Sequence, residues 1–381
     1  MHPPSPHRYV NEGQRAGRSP DVLQHAASQI ETSFSRGATP ILSLRHLAHL
    51  TGASHSYLRA IVERESNPYK EITLPKKTGG VRPIAAPEPM LMDVQRFILR
   101  SALRRVPLHS SSFAYQEHRA ILDCAQRHIG AKWLVKMDLH DFFGQVSEKQ
   151  VYGVFQERGY SALAAFELAR LCTRIQGPMW RGASRYTAIP TYGGVPLGIL
   201  PQGAPTSGAL ANAVATPMDY ALSDLARHAG VVYTRYSDDL AFSAGRSFDR
   251  AAAANLIGKV TRVVADSGFA VRRKKTRVVP PGARHIVLGL LVDEQDVRLL
   301  PEFRKRIEGH IRGVEKFGLV AHAEYRGFRS LLSFISHIDG SLAFASSIEP
   351  LWTSRARANW ESGLLRNGFP LSMRSSTAAE T

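Results

Sequence analysis

Cysteine is almost missing from this sequence: Cys124 and Cys172 are the only two in 381 residues. Two cysteines cannot build a disulfide framework or a cysteine-type zinc site, and they read as small buried apolar side chains in a reducing compartment. Long apolar runs are missing too, and none approaches the roughly 18 residues of a membrane span. Met1 to Pro20, rich in Pro, Ser and Arg, lacks the apolar core of a secretory signal. A soluble, cytoplasmic protein with no membrane partner is therefore expected. Acidic residues are scarce: 32 Asp and Glu stand against 49 Lys and Arg, a net charge of +17. That surplus attracts polyanions over long range and favours nucleic acid as partner. With 44% apolar residues the chain is an ordinary globular one, long enough for two or three packed units.

The organisation along the chain follows from periodicity. Residues 1–20 and 371–381 read as disordered by composition. From Asp21 to Glu65 the pattern is helical. Within it Leu44, Leu47, Ala48 and Leu50, the turn Thr51-Gly52-Ala53-Ser54, and then Tyr57, Leu58 and Ile61 spell helix, turn, helix, with Ser54 as N-cap. Such a pair could read DNA, but a buttress for the next domain is the preferred reading. Tyr69 to Pro87 alternates as a β-hairpin with the basic tip Lys76-Lys77-Thr78-Gly79-Gly80. Helical periodicity returns over Met90–Leu103. A strand through Trp133–Met137 ends on Asp138, and helices are predicted around 148–175 and 203–225. Val231 to Ser243 is a second hairpin, 251–268 a helix, and the apolar runs 269–279 and 285–292 are strands. From Pro301 onward the pattern is helical and dense in Arg304, Lys305, Arg306, Arg312 and Lys316. His46, His49 and His55 lack a Cys or acidic partner at ligand spacing and read as a surface helix face.

The chemistry concentrates on carboxylates. Tyr236-Ser237-Asp238-Asp239 sits at a hairpin tip bracketed by aromatic and aliphatic residues. An Asp-Asp pair is usually a solvated turn, but acids in such surroundings are costly unless a cation compensates. Asp138, delivered by an apolar strand, would complete a three-acid cluster; alone it reads as a helix N-cap. Such a cluster can hold two Mg²⁺ ions roughly 3.5–4 Å apart, one activating a 3′-hydroxyl and one steadying leaving pyrophosphate. The loop Leu200-Pro201-Gln202-Gly203-Ala204-Pro205-Thr206-Ser207-Gly208, which opens a helix, lets backbone amides approach a phosphate, base or sugar. Lys76, Lys77 and Arg82 could neutralise a triphosphate. Arg272-Arg273-Lys274-Lys275-Thr276-Arg277 is either a charged edge strand or a further phosphate contact.

In order and spacing these segments resemble bacterial reverse transcriptases, with the retron type closest, from about Leu44 to about Leu364. Tyr236-Ser237-Asp238-Asp239 matches the family's Tyr-x-Asp-Asp box, Asp138 to Phe143 the box of the first catalytic aspartate, and Pro201 to Ser207 the loop form that retron enzymes use. The resemblance implies an α+β right-hand polymerase with fingers, a palm whose antiparallel sheet carries the acids, and a C-terminal helical thumb. The implied division is a disordered N-terminus at 1–20, a helical region at 21–66, fingers at 67–130, palm at 131–295 with a fingers insertion at about 150–200, thumb at 296–370 and a tail at 371–381.

Residue by residue, the resemblance implies that Asp138, Asp238 and Asp239, with the Leu139 carbonyl, bind Mg²⁺ or Mn²⁺. Phe143 lies under the sugar and excludes a 2′-hydroxyl, so dNTPs are the substrate. Gln202 contacts the incoming nucleotide, Arg82 and Lys76 or Lys77 grip its phosphates, and Lys275 donates a proton to pyrophosphate. Tyr236, His128, Arg304, Arg306, Arg312 and Lys316 contact nucleic acid. A structured noncoding RNA as template and primer, its DNA product, and an effector protein of an anti-phage defence system are the implied partners. Departures from the family pattern fall at Asp123-Cys124-Ala125-Gln126-Arg127-His128, at Val287-Leu288-Gly289, at Gly208 where Pro is usual, at Ser237 where Ala is commoner, and in an insertion over about 176–198. The alternatives are a defence-associated reverse transcriptase with protein-primed or template-independent synthesis, and a catalytically silent nucleic-acid binder.

Overall fold

The computed structural model of the chain describes residues 6–75, 79–175 and 197–370. In chain order its elements are α1 (Pro6–Arg15), α2 (Pro20–Ser35), α3 (Leu44–Thr51), α4 (His55–Val62), β1 (Tyr69–Pro75), β2 (Val81–Pro87), α5 (Pro89–Ile98), α6 (Ile121–Gln126), β3 (Trp133–Asp138), α7 (Glu148–Glu157), α8 (Ala162–Cys172) and α9 (Ser207–His228). Next come β4 (Val232–Tyr236), β5 (Asp239–Ala244), α10 (Arg250–Asp266), β6 (Arg277–Val279), β7 (Ile286–Val287), β8 (Leu290–Val292), β9 (Val297–Leu299), α11 (Pro301–Phe317), α12 (Leu319–Tyr325), α13 (Leu331–Ser346) and α14 (Pro350–Arg366). One sheet has the order β4-β5-β3-β6, another is the β1-β2 hairpin, and a third runs β7-β8-β9.

Two compact units divide the chain. The first holds Met1–Arg119, Lys136–Leu240 and Ala251–Arg277; the second holds Ala120–Val135, Ala241–Arg250 and Val278–Thr381. The second unit therefore takes in more than the expected thumb at 296–370. In the first unit, Leu47, Leu58 and Ile61 are buried, and α3 packs on α5 while α4 packs on α8. Ser43 and Ser54 cap α3 and α4 by accepting from the amides of His46 and Tyr57. The apolar faces of this pair are buried inside the unit, as a buttress requires. The ring of His46 accepts from the Leu42 amide, so it is a local brace.

Three expectations are corrected. Residues 6–15 form a helix where composition predicted disorder, because Arg8 pairs with Glu12 one turn on and Gly13 lets α1 press onto α2. A Cβ at Gly13 would stand 2.2 Å from a Leu23 methyl carbon. The run 269–279 is not one strand. Its start lies alongside the end of β3, Arg273–Lys275 coil into a 3₁₀ turn, and only Arg277–Val279 resumes as strand. The run 285–292 is a tight hairpin, turned by Leu288 at φ 50° and Gly289 at φ 82°. The expected insertion at 176–198 lies almost wholly outside the described residues, as does the tail at 371–381.

In the second unit, Ile307, Ile311, Val314, Phe334, Ile338, Leu342, Trp360 and Leu364 form the core of the C-terminal helices. A separate cluster joins Leu134 to Val287, Leu290, Val292, Val297 and Leu299. Among the described residues no helix is long and apolar enough to cross a membrane.

Candidate active site

The Asp-Asp pair sits where β4 turns into β5. Ser237 takes φ +57°, a left-handed conformation that non-glycine residues adopt mainly where the surroundings hold it. Part of what holds it is Arg235, a guanidinium with no solvent exposure in the middle of β4. Its Nε and Nη2 donate to Asp219 Oδ1 and Oδ2 at 2.7 and 2.6 Å. Nη1 donates to Asn212 Oδ1 at 2.8 Å and to the Ser237 carbonyl at 3.2 Å, and Nη2 also reaches Ser112 Oγ at 3.1 Å. Tyr233 adds a hydroxyl donor to Asp219 Oδ1 at 2.8 Å. Asn212 and Asp219 are seven residues apart on α9, hence on one face. Burial opposes the charge on Arg235, yet the hydrogen bonds and charge of Asp219 hold its pKa above the ordinary value. Sequence reading missed this network; its only trace was a charged residue alternating with Tyr233 and Ser237 on one side of a buried strand.

Asp138 ends β3 and is 4% exposed. The amide of Leu139, its neighbour, donates to the Asp238 carbonyl at 2.8 Å, which brings the first acid to the hairpin bearing the other two. Lys275 Nζ stands 2.5 Å from Asp138 Oδ2, and Arg272 Nε 3.4 Å from Oδ1. Oδ1 itself is buried without a hydrogen bond. Burial pushes the Asp239 carboxyl up to about 6, the charges of Asp238 and Asp138 add to the rise, and Lys136 and Lys275 oppose it. Asp238 shifts upward as well, by burial first and then by Asp138, against Lys275 and Arg82.

Among the described residues no three His, Cys, Asp or Glu side chains are grouped as a metal cage, and Asp138 Oδ2 accepts from Lys275 Nζ. The donor set nevertheless fits a divalent cation: it is all oxygen, and it keeps the buried Asp138 Oδ1 without a hydrogen bond. The Leu139 carbonyl also remains outside the strand pairing, since the bonds to 270–272 use the carbonyl of Asp138 and the amide of His140.

The loop before α9 is fastened to the β1-β2 hairpin. The Ala85 amide donates to the Gln202 carbonyl at 2.8 Å, and Ser207 Oγ donates to the Pro201 carbonyl at 2.7 Å. Gly203 has φ +121°, and a Cβ there would lie 2.6 Å from Ile84 Cγ2, so only glycine permits this approach. Gln202 is half-buried, Phe143 is half-buried with its ring 5.6 Å from Phe142, and Arg82 is exposed on β2. Lys76 and Lys77 lie outside the described residues.

The expected nucleic-acid contacts divide. Arg306, Arg312 and Lys316 are exposed on α11, whereas Arg304 is half-buried and bound to Glu349. Tyr236 is half-buried beside the acids. His128 is a correction: it is 1% exposed, its Nδ1 lies 2.8 Å from Ser243 Oγ, and burial lowers its pKa to about 4. The ring is closed inside the second unit against Ser243 and presents almost no surface to a nucleic acid.

Residues 74–292, more than half of the chain, match the family described as reverse transcriptase (RNA-dependent DNA polymerase). The chain is 36% identical over 276 residues to the retron Mx162 reverse transcriptase of Myxococcus xanthus, covering 69% of this chain and 56% of that protein. It is 34% identical over 284 residues to the retron Mx65 reverse transcriptase of the same organism, covering 74% and 62%. With the retron Ec86 reverse transcriptase of Escherichia coli identity is 28% over 313 residues, covering 81% and 86%. The chain thus spans less than two thirds of the two Myxococcus relatives. A solved Candida albicans telomerase overlaps 79% of this chain and 62% of that chain at TM-score 0.40 and 12% identity, too distant to add to the assignment.

Proposed function

The chain belongs to the reverse transcriptase family, in its retron-type branch, and from that premise we propose that it is an RNA-directed DNA polymerase that copies a dedicated structured noncoding RNA using dNTPs. The observation that carries this reading is the convergence of Asp138 with the Asp238-Asp239 turn, where two carboxyls are shifted upward by burial and then by neighbouring carboxylate charge, and one buried oxygen accepts no hydrogen bond. Divalent cations, Mg²⁺ or Mn²⁺, held by Asp138, Asp238, Asp239 and the Leu139 carbonyl, would supply the positive charge that activates a hydroxyl and neutralises the departing pyrophosphate.

The chain's own groups do the rest. Lys275, whose Nζ now rests 2.5 Å from Asp138, keeps a proton within the site and would deliver it to pyrophosphate. Arg82 and the Lys76-Lys77 tip grip the triphosphate, Gln202 contacts the nucleotide, and the Phe143 ring closes the space a 2′-hydroxyl would need. Arg306, Arg312 and Lys316 track the template–primer backbone, with Tyr236 near the primer end. A retron-type enzyme of this kind would prime on its own RNA and act with an effector protein in anti-phage defence.

The test is incorporation of labelled dNTP by purified protein with Mg²⁺, on primed RNA and on any co-purifying RNA. Incorporation is expected in the wild type and absent from Asp238→Ala/Asp239→Ala and from EDTA-treated protein. A wild type that incorporates nothing on any RNA template would sink the reading.

A further inference from the structure

Tyr115 was not singled out by sequence, yet it stands between three parts of the site. Its hydroxyl shares a 3.1 Å hydrogen bond with Ser237 Oγ, one residue before Asp238. Its ring lies against Gly208 so closely that a Cβ there would stand 2.5 Å from the ring carbon Cγ. The ring centroid is 6.0 Å from that of Phe143, tilted by 60°. Tyr115 has φ +57°, an outlier for so bulky a residue. The strain is held in place from both sides: Asn212 Nδ2 donates to the Ala114 carbonyl at 2.6 Å, and the Phe113 amide donates to the Arg235 carbonyl at 2.9 Å. Strain kept in this way points to a task for the side chain it aims. Despite these anchors, Tyr115 remains 53% exposed. An aromatic face held rigidly beside Phe143 and left open is suited to a flat or ring-shaped group that arrives with the substrate.

We propose that Tyr115 is a second specificity-determining wall of the nucleotide site, confining the sugar of the incoming nucleotide against Phe143 from a position set by Ser237 and by the missing side chain of Gly208. The assignment rests on the polymerase reading and extends it to a residue outside every motif. Removing the ring opens the sugar space, so deoxy- and ribonucleotides become harder to tell apart. Removing only the hydroxyl, from either partner, loosens the ring without deleting it.

The test uses the full-length protein on a primer–template, with two readouts: equilibrium binding of a fluorescent N-methylanthraniloyl dNTP, and single-nucleotide kcat/KM for dNTP and rNTP. Tyr115→Ala is expected to weaken dNTP binding, raise its KM about tenfold and cut deoxy-over-ribo discrimination about tenfold, the usual scale for altered pocket shape. Tyr115→Phe and Ser237→Ala should each lose about threefold in KM, and the double variant no more than either, because both delete one bond. Wild-type dNTP binding and discrimination in Tyr115→Ala, beside an active wild type, overturns this proposal alone. So does additive loss in the double variant, or loss in kcat with KM unmoved. A wild type that incorporates neither nucleotide overturns the polymerase reading and this proposal with it.

Discussion

A guanidinium sealed inside a strand stabilises only while every donor keeps its acceptor, and Arg235 meets that condition through Asp219, Asn212, Ser112 and the Ser237 carbonyl. Arg235→Ala strands Asp219 without its cation, and unfolding measurements should show a loss of about 3–5 kcal/mol. Replacing both partners by apolar residues (Arg235→Met/Asp219→Leu) should recover most of that stability. It should not recover incorporation, since the Ser237 carbonyl still lacks its donor. Asp239 gives the second residue-scale prediction. Its folded-state pKa, about 6, lies above the ordinary value of 3.8, so its contribution to stability is present below pH 4 and is lost as pH rises through 6. In EDTA at pH 8, Asp239→Asn should therefore raise the melting temperature. The side chain is partly open to solvent, which screens the effect to about 1 kcal/mol, or roughly 2–4 °C. An unchanged melting temperature would show that crowding at the turn carries no strain.

At the scale of elements, α11, α12 and α13 meet around an unusual group of rings. His310 is 3% exposed, its Nδ1 lies 3.2 Å from His322 Nε2, and Phe334 and His337 pack against it. Burial lowers the pKa of His310 to about 4, and the charges of Arg326, His322, His337 and Arg306 push the same way. A histidine depressed in the folded state takes up fewer protons than it does unfolded, so stability is lost as pH falls from about 6.5 towards 4. This helical core should loosen on acidification, at a cost of up to about 3 kcal/mol. His310→Phe should shift that acid limb to lower pH in a denaturation series read by Trp360 fluorescence, whereas an unmoved limb would place the acid-sensitive group elsewhere. In the first unit, Glu148 ties the start of α7 to distant segments: it binds Arg64 and Arg170 at 2.6 Å each and accepts from the Gly198 amide at 3.0 Å. That grip leads the chain into the loop carrying Gln202.

For the molecule as a whole, the net charge of +17 sets how strongly it should respond to salt. Primer–template binding should weaken linearly in log–log salt titrations, and each of Arg306→Ala, Arg312→Ala and Lys316→Ala should reduce the slope by about 1. Arg304→Ala should change it less, since Glu349 already occupies that guanidinium. Slopes equal to that of the wild type in all four variants would remove α11 from the nucleic-acid path.

Period and motif order were enough to find the hairpins at Tyr69–Pro87 and Val231–Ser243 and the helix that begins at Ser207. These depend on neighbours a few residues apart and on boxes in a set sequence. Two errors in the strands share one cause: a run of apolar residues does not report where the chain turns, at the basic Arg273–Lys275 in one case and at Leu288-Gly289 in the other. The disorder expected of residues 6–15 is replaced by a polar helix in contact with α2, which composition does not encode. His128 illustrates the reverse case, a family position whose side chain is closed into a core in this chain. Arg235, Asp219, Asn212 and Tyr115 come from segments up to 120 residues apart (235 − 115), and each is unexceptional in its own stretch. What the sequence by itself determined was the chemistry available, through the aspartates and the basic surplus. Only the tertiary structure decided how that chemistry is aimed, because a buried charge and a left-handed tyrosine persist only where distant chain segments close around them.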